Sequence, residues 1–179
     1  MDKKFKKDFY RMTGDGEVSF LKGRFLYMFS HNMRFVKCFR KYQKRKNIFL
    51  RFRLYRFSRR FGLEISTSAQ IGEGLYLGHP YNITVAGGVK IGKNVNLHKG
   101  CTVGRENRGK RAGVPTIGDC VYVGINSTVV GNITVGDDVF IAPGAFVNFD
   151  VPSHSVVIGN PGVIHHKENA TENYIIHRV

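Results

Sequence analysis

Two side chains have the types and spacing for proton transfer: His79, and Glu64 fifteen residues before it. A carboxylate on one ring nitrogen fixes the imidazole tautomer and stabilises its protonated form. The other nitrogen is then free to take a proton from a hydroxyl or amine. His79 lies in Leu77-Gly78-His79-Pro80-Tyr81-Asn82, a polar break between aliphatic positions. His98, in Leu97-His98-Lys99-Gly100, reads as a secondary or structural group near the same place. No third histidine is placed to complete a zinc site with these two, because His154, His165, His166 and His177 fall in the terminal turn and tail. No metal is therefore expected. Cys38, Cys101 and Cys120 show no framework spacing and read as free thiols of a reducing compartment.

The elements that must position these groups come from a repeat. Thirteen aliphatic heads recur: Ile65, Ile71, Leu77, Ile83, Ile91, Leu97, Val103, Ile117, Val123, Val129, Val135, Ile141 and Val147. Steps are six residues except from Ile83 to Ile91, which adds two, and from Val103 to Ile117, which adds eight. Such units signal a β-solenoid in which each head points inward and a tight corner follows each short strand. Three units make a coil, so a little over four coils are expected. One coil of separation would stack Glu64 on His79. A prism filled with aliphatic heads cannot enclose a substrate, so chemistry must sit at corners, insertions or seams between prisms. The smaller insertion reads as Val85-Ala86-Gly87-Gly88. The larger is a polar loop, Gly104–Pro115, carrying Arg105, Arg108, Lys110 and Arg111.

The first 61 residues differ from the rest. They hold 19 Lys/Arg against four acids, whereas residues 62–179 hold nine of each, so the whole net charge of +15 belongs to this arm. The shift divides the chain into a basic aromatic-rich arm (1–61), a repeat domain (62–163) and a tail (164–179). Residues 17–61 read as two or three helices, including Met33–Lys46 and Ile48–Phe61. In the latter, Leu50, Leu54, Phe57 and Phe61 form an apolar stripe and five arginines fill much of the remaining circumference. Such an arm suits capping of the solenoid and attachment to an anionic membrane surface. Nucleic acid is not expected, since no recognition motif accompanies the charge. Neither a signal peptide nor a membrane span is visible, which gives a cytoplasmic protein, peripheral at the inner face of the cell membrane.

From Glu64 to about Val163 the chain resembles the hexapeptide-repeat acyltransferases, in their serine O-acetyltransferase-like branch. The matching stretches include Ile71-Gly72-Glu73-Gly74-Leu75-Tyr76-Leu77-Gly78-His79, Pro115-Thr116-Ile117-Gly118-Asp119, Val130-Gly131-Asn132-Ile133-Thr134-Val135-Gly136-Asp137 and the closing Val151-Pro152 to Ile158-Gly159-Asn160-Pro161. The resemblance implies an all-β left-handed parallel β-helix with a short basic α-helical N-terminal arm, assembled as a homotrimer that binds acetyl-CoA between neighbouring prisms. It implies His79 as general base and Glu64 as its orienting carboxylate. Gly104, Arg105, Ile125 and Pro143 would contact the coenzyme, and Gly78, Tyr81, His98, Arg108 and Arg111 the acceptor. Two departures matter: Gly78 stands where the serine enzymes carry Asp, and Gly113-Val114 where they carry Arg-His before Pro115. On those departures the expected acceptor is a sugar hydroxyl of a capsule, exopolysaccharide or O-antigen precursor, free or lipid-linked. Free serine is the alternative acceptor, and a non-catalytic trimeric scaffold is the alternative outside catalysis.

Overall fold

All thirteen aliphatic heads are buried, none more than 6% exposed, and all but Ile83 lie in a short strand. In the computed structural model, which describes residues 2–15 and 28–179, these strands wind into a parallel β-solenoid of five turns. The first face stacks β1 (Glu64–Ile65), β4 (Thr84–Val85), β7 (Thr102–Gly104), β10 (Thr128–Val130) and β13 (Phe146–Val147). The second stacks β2 (Gln70–Ile71), β5 (Lys90–Ile91), β8 (Thr116–Ile117) and β11 (Thr134–Val135). The third stacks β3 (Tyr76–Gly78), β6 (Asn96–His98), β9 (Tyr122–Val123), β12 (Val139–Ile141) and β14 (Ser155–Ile158), with β15 (Val163–His166) added antiparallel.

The register moves the smaller insertion. Ile65 pairs with Val85, and Val85 with Val103, so Val85 rather than Ile83 is the strand head of the second coil. Leu77 to Val85 is then the eight-residue step, and Val85 to Ile91 is an ordinary six. The two extra residues therefore belong to the corner that carries His79, not to Val85–Gly88. Ile83 is buried as well, which hid the shift from a reading based on apolar phase.

Among the described residues, three helices close the first coil. α1 (Lys3–Thr13) starts at Asp2, whose carboxylate accepts from Phe5 N at 3.1 Å, and ends at Gly14 with φ 70°. α2 (His31–Lys44) is capped by the Ser30 hydroxyl, and it begins and ends two residues before the expected Met33–Lys46. α3 (Ile48–Phe61) has Asn47 at its start and Gly62, at φ 65°, at its end. The arm helix expected over residues 17–27 lies outside the described residues. The first turn of a solenoid has backbone groups with no coil above them, and such groups must find partners. Arg40 donates to Ile71 O at 2.7 Å and to Gly72 O, Gln43 to Ala69 O at 3.1 Å, Asn32 to Leu77 O at 2.8 Å and Arg11 to Gly74 O at 3.2 Å. The Asp8 carboxylate takes the Leu75 N–H at 2.9 Å and pairs with Arg40 at 2.7 Å, both side chains fully enclosed. Phe35, Val36 and Phe39 complete the lid from the apolar side.

The tail runs back along the third face. Val179 and Asn94 exchange two hydrogen bonds, and Asn96 donates to Tyr174 O at 3.1 Å. The Tyr174 ring packs on Phe140 and Tyr122, with centroids at 4.5 and 5.4 Å. Asp138 accepts from Ala170 N, Thr171 N and the Thr171 hydroxyl.

Candidate active site

His79 stands at the corner between the third and first faces, directly after β3. It is exposed, and its backbone adopts the left-handed conformation with φ 47°, rare for a side chain of this size. Tyr81 N donates to His79 O at 2.8 Å and closes the turn. The sequence reading missed the group that props this corner from above. The His31 ring approaches Pro80 O at 3.3 Å, stacks on Phe61 at 4.3 Å and meets Tyr81 at 5.0 Å. The helix-capping pattern around Ser30 was the available signal, since it sets His31 and Asn32 in the first turn of α2.

The expected pairing of His79 with Glu64 is not made within the chain. Glu64 stacks on Thr84, twenty residues on, so fifteen residues is short of a coil. The Glu64 carboxylate accepts from the Ser58 hydroxyl at 3.4 Å instead, and it is exposed. A coil of three six-residue units is already eighteen residues and this one is twenty, so the fifteen-residue spacing falls short with or without the two extra residues of the His79 corner.

The imidazole that does lie beside this corner is His98. Gly78 pairs with His98, and Lys99 N donates to Gly78 O at 2.9 Å. The His98 ring lies directly over Gly78: a Cβ at position 78 would come within 2.3 Å of Nδ1. It packs tilted against Tyr122 at 4.4 Å, and its Nε2 is buried without a partner. Burial pulls its pKa down to about 4, and the nearby His79 adds to the shift, so His98 is neutral at physiological pH. This placement fits a group that shapes the corner, while the acceptor contact expected of it is not built by these neighbours.

The coenzyme residues divide between two edges. Leu77 pairs with Leu97, Leu97 with Val123, and Val123 with Ile141, so His79, Lys99, Ile125 and Pro143 occupy one column, each a coil below the last. Ile125 and Pro143 are exposed there and stand about 10 and 14 Å down the axis from His79 at a coil rise of about 4.8 Å. Gly104 ends β7 and opens the long loop at the corner between the first and second faces, a different edge. The loop is a small hairpin: Glu106 and Gly113 exchange hydrogen bonds of 2.9 Å, and the Glu106 carboxylate holds the Asn107 and Arg108 N–H groups. Arg111 leans toward Asp150 at 3.9 Å, while Arg105, Arg108 and Lys110 are exposed and meet no carboxylate among the described residues. One chain therefore presents His79 with the apolar column on one edge and the basic loop on another. Only a second copy alongside can bring the two together.

Comparison with known proteins adds to this geometry. Residues 115–148 match the family model described as bacterial transferase hexapeptide (six repeats). The chain is 41% identical over 108 residues to serine acetyltransferase 2 of Arabidopsis thaliana, covering 59% of this chain and 33% of that protein. It is 38% identical over 126 residues to the serine acetyltransferase of Staphylococcus xylosus, covering 69% of this chain and 57% of that one. The chain thus spans well under two thirds of these curated relatives. Among solved structures, Neisseria gonorrhoeae serine acetyltransferase in complex with serine superposes with a TM-score of 0.75 at 26% identity, covering 91% of this chain and 68% of that one.

Proposed function

We propose that this hexapeptide-repeat transferase is an acetyl-CoA-dependent O-acetyltransferase whose acceptor is the hydroxyl of serine. The reading corrects the sugar acceptor expected from the sequence, because the relatives matched at 37–41% identity are serine acetyltransferases. The sugar assignment rested on Gly78 and on Gly113-Val114. Gly78 has a local reason that is unrelated to the acceptor, since the His98 ring needs the space a side chain there would fill.

The observation that carries the reading is the column of His79, Ile125 and Pro143 along one edge. An exposed imidazole heads the edge, exposed Lys99 lies one coil below it, and the exposed apolar side chains of Ile125 and Pro143 beneath them suit a pantetheine arm laid along the prism. His79 would remove the hydroxyl proton as that oxygen attacks the thioester carbonyl. The tetrahedral intermediate would then collapse with expulsion of the thiolate, which the imidazolium protonates. A general base of this kind contributes about 10²–10⁴-fold. The unpaired guanidinium and ammonium groups of Arg105, Arg108 and Lys110, brought by a neighbouring copy, suit the coenzyme's phosphates. A trimer satisfies that demand three times over. Glu64 is left out of the catalytic group.

The test is thiol release from acetyl-CoA by the purified chain, with and without serine. Serine-dependent release that falls about 10²–10⁴-fold in His79→Asn is expected. Asn is chosen because it tolerates the left-handed backbone and separates chemistry from folding. No release with serine at any concentration would remove the acceptor assignment, and full activity in His79→Asn would remove the base.

A further inference from the structure

We infer that the outer face of α3 docks this protein on an anionic lipid bilayer. The sequence stripe Leu50, Leu54, Phe57 and Phe61 faces inward: Leu54 is buried, and the other three are partly buried against the core. The same helix carries a second apolar face with nothing over it. Ile48, Phe49, Phe52 and Tyr55 are 69, 76, 58 and 58% exposed. They span only about a third of the helix circumference, on the side opposite the core stripe. Four large apolar side chains together on one solvent face are not the scattered exposure of an ordinary surface.

The charge around that face selects its partner. Arg45 and Lys46 precede the apolar tip, and Arg51, Arg53, Arg56, Arg59 and Arg60 follow it, all exposed. None of the seven has a carboxylate partner among the described residues, and α3 itself contains no acid. In the same arm, by contrast, Lys44 pairs with Asp2 and Arg40 with Asp8. Seven cations without a carboxylate partner among the described residues thus surround the apolar tip. A second copy pairing through this same face would bring like charges together, which opposes isologous association here. A surface of acidic lipid meets both demands, since headgroup phosphates match the arginines and the boundary with the acyl chains takes Ile48, Phe49 and Phe52. No described helix is long and apolar enough to cross a membrane, so the contact is with the surface. A nucleic acid would match the charge and could stack on Phe and Tyr, but would leave Ile48 and the packed apolar tip without use.

Sedimentation of the full-length protein with vesicles tests the inference. Vesicles of phosphatidylcholine with phosphatidylserine should carry the protein down, and vesicles of phosphatidylcholine alone should not. Phe49→Ser with Phe52→Ser should abolish pelleting while circular dichroism and melting stay as in the parent, because neither ring touches the core. Each of Arg56→Gln and Arg59→Gln should weaken binding about fivefold. The inference is overturned by equal pelleting of the double serine variant. It is equally overturned if that variant changes the oligomeric state instead of vesicle binding, or if the parent prefers single-stranded oligonucleotide to the acidic vesicles. Acetyl transfer to serine is read separately, so neither result depends on the other.

Discussion

His79 occupies a backbone conformation that favours Asn or Gly, and His31, Phe61 and Tyr81 pack together against its turn. Residues kept in sparsely populated conformations cost of order 1–3 kcal/mol and persist only when surroundings enforce them. Gly78 beside it is equally constrained. In Gly78→Ala the new methyl would sit 2.3 Å from the His98 ring, which Tyr122 blocks from retreating. A loss of about 1–3 kcal/mol in urea unfolding is expected. The His98 titration followed by NMR should also climb from about 4 toward its ordinary 6.5 as the ring is driven into solvent. The sign follows from linkage: a histidine with a depressed folded pKa takes protons preferentially in the unfolded chain. In the parent this costs stability as pH falls from about 6.5 to about 4, and the variant should show less of that dependence.

At the level of elements, caps and tail anchors do the work that helix propensity and strand length cannot. Arg40 is almost wholly enclosed and answers both the Asp8 charge and two carbonyls of the first coil. Arg40→Ala leaves a buried carboxylate unpaired, so about 3–5 kcal/mol of stability should disappear, visible as a lower denaturant midpoint. The tail hangs on Asp138. Burial alone would raise that carboxyl, but hydrogen bonds from Thr171, His154 and Ala170 outweigh it and hold the group below its ordinary 3.8. Its contribution is present above that value and is lost as pH falls through the folded pKa. Asp138→Asn should speed amide exchange at Thr171 near neutrality, by an amount equivalent to about 1–3 kcal/mol, and the difference should shrink in acid.

Much of this layer was legible in the sequence. The thirteen heads are all buried, and α3 begins and ends where Asn47 and Gly62 place it. Phase was legible because a period repeated many times averages out local noise. The two-residue insertion was not, because Ile83 and Val85 are both aliphatic and only strand register distinguishes them. The Glu64–His79 pairing failed separately, because fifteen residues is less than one coil wherever the insertion lies. α1 was missed although Asp2 and Gly14 mark its ends, since lysine in four of its first five positions disguised the apolar side. The outer face of α3 was hidden for a related reason: apolar residues nearly encircle the helix, and sequence alone does not say which of them meet the lid.

For the whole molecule, the proposed transfer would be a property of the assembly, because His79 and the basic loop lie on different edges of one chain. A chain carrying His79→Asn and another carrying Arg105→Ala, Arg108→Ala and Lys110→Ala should each be nearly inactive alone. After unfolding and refolding together, about one seam in four would combine an intact histidine with an intact loop, and activity should return in that proportion. No recovery on mixing would mean that each chain completes its own site.

The lid of α1 and α2 has a second effect, on how the molecule behaves toward its own kind. A stack of flat parallel strands is a template, and a bare top layer would invite the bottom layer of the next molecule to continue it. With its upward carbonyls claimed by guanidinium and amide groups, the solenoid has a finished end, and growth into fibres is denied a starting surface. Removing Arg40 would therefore do more than soften the fold, and light scattering of the aged variant is where that failure should first be seen.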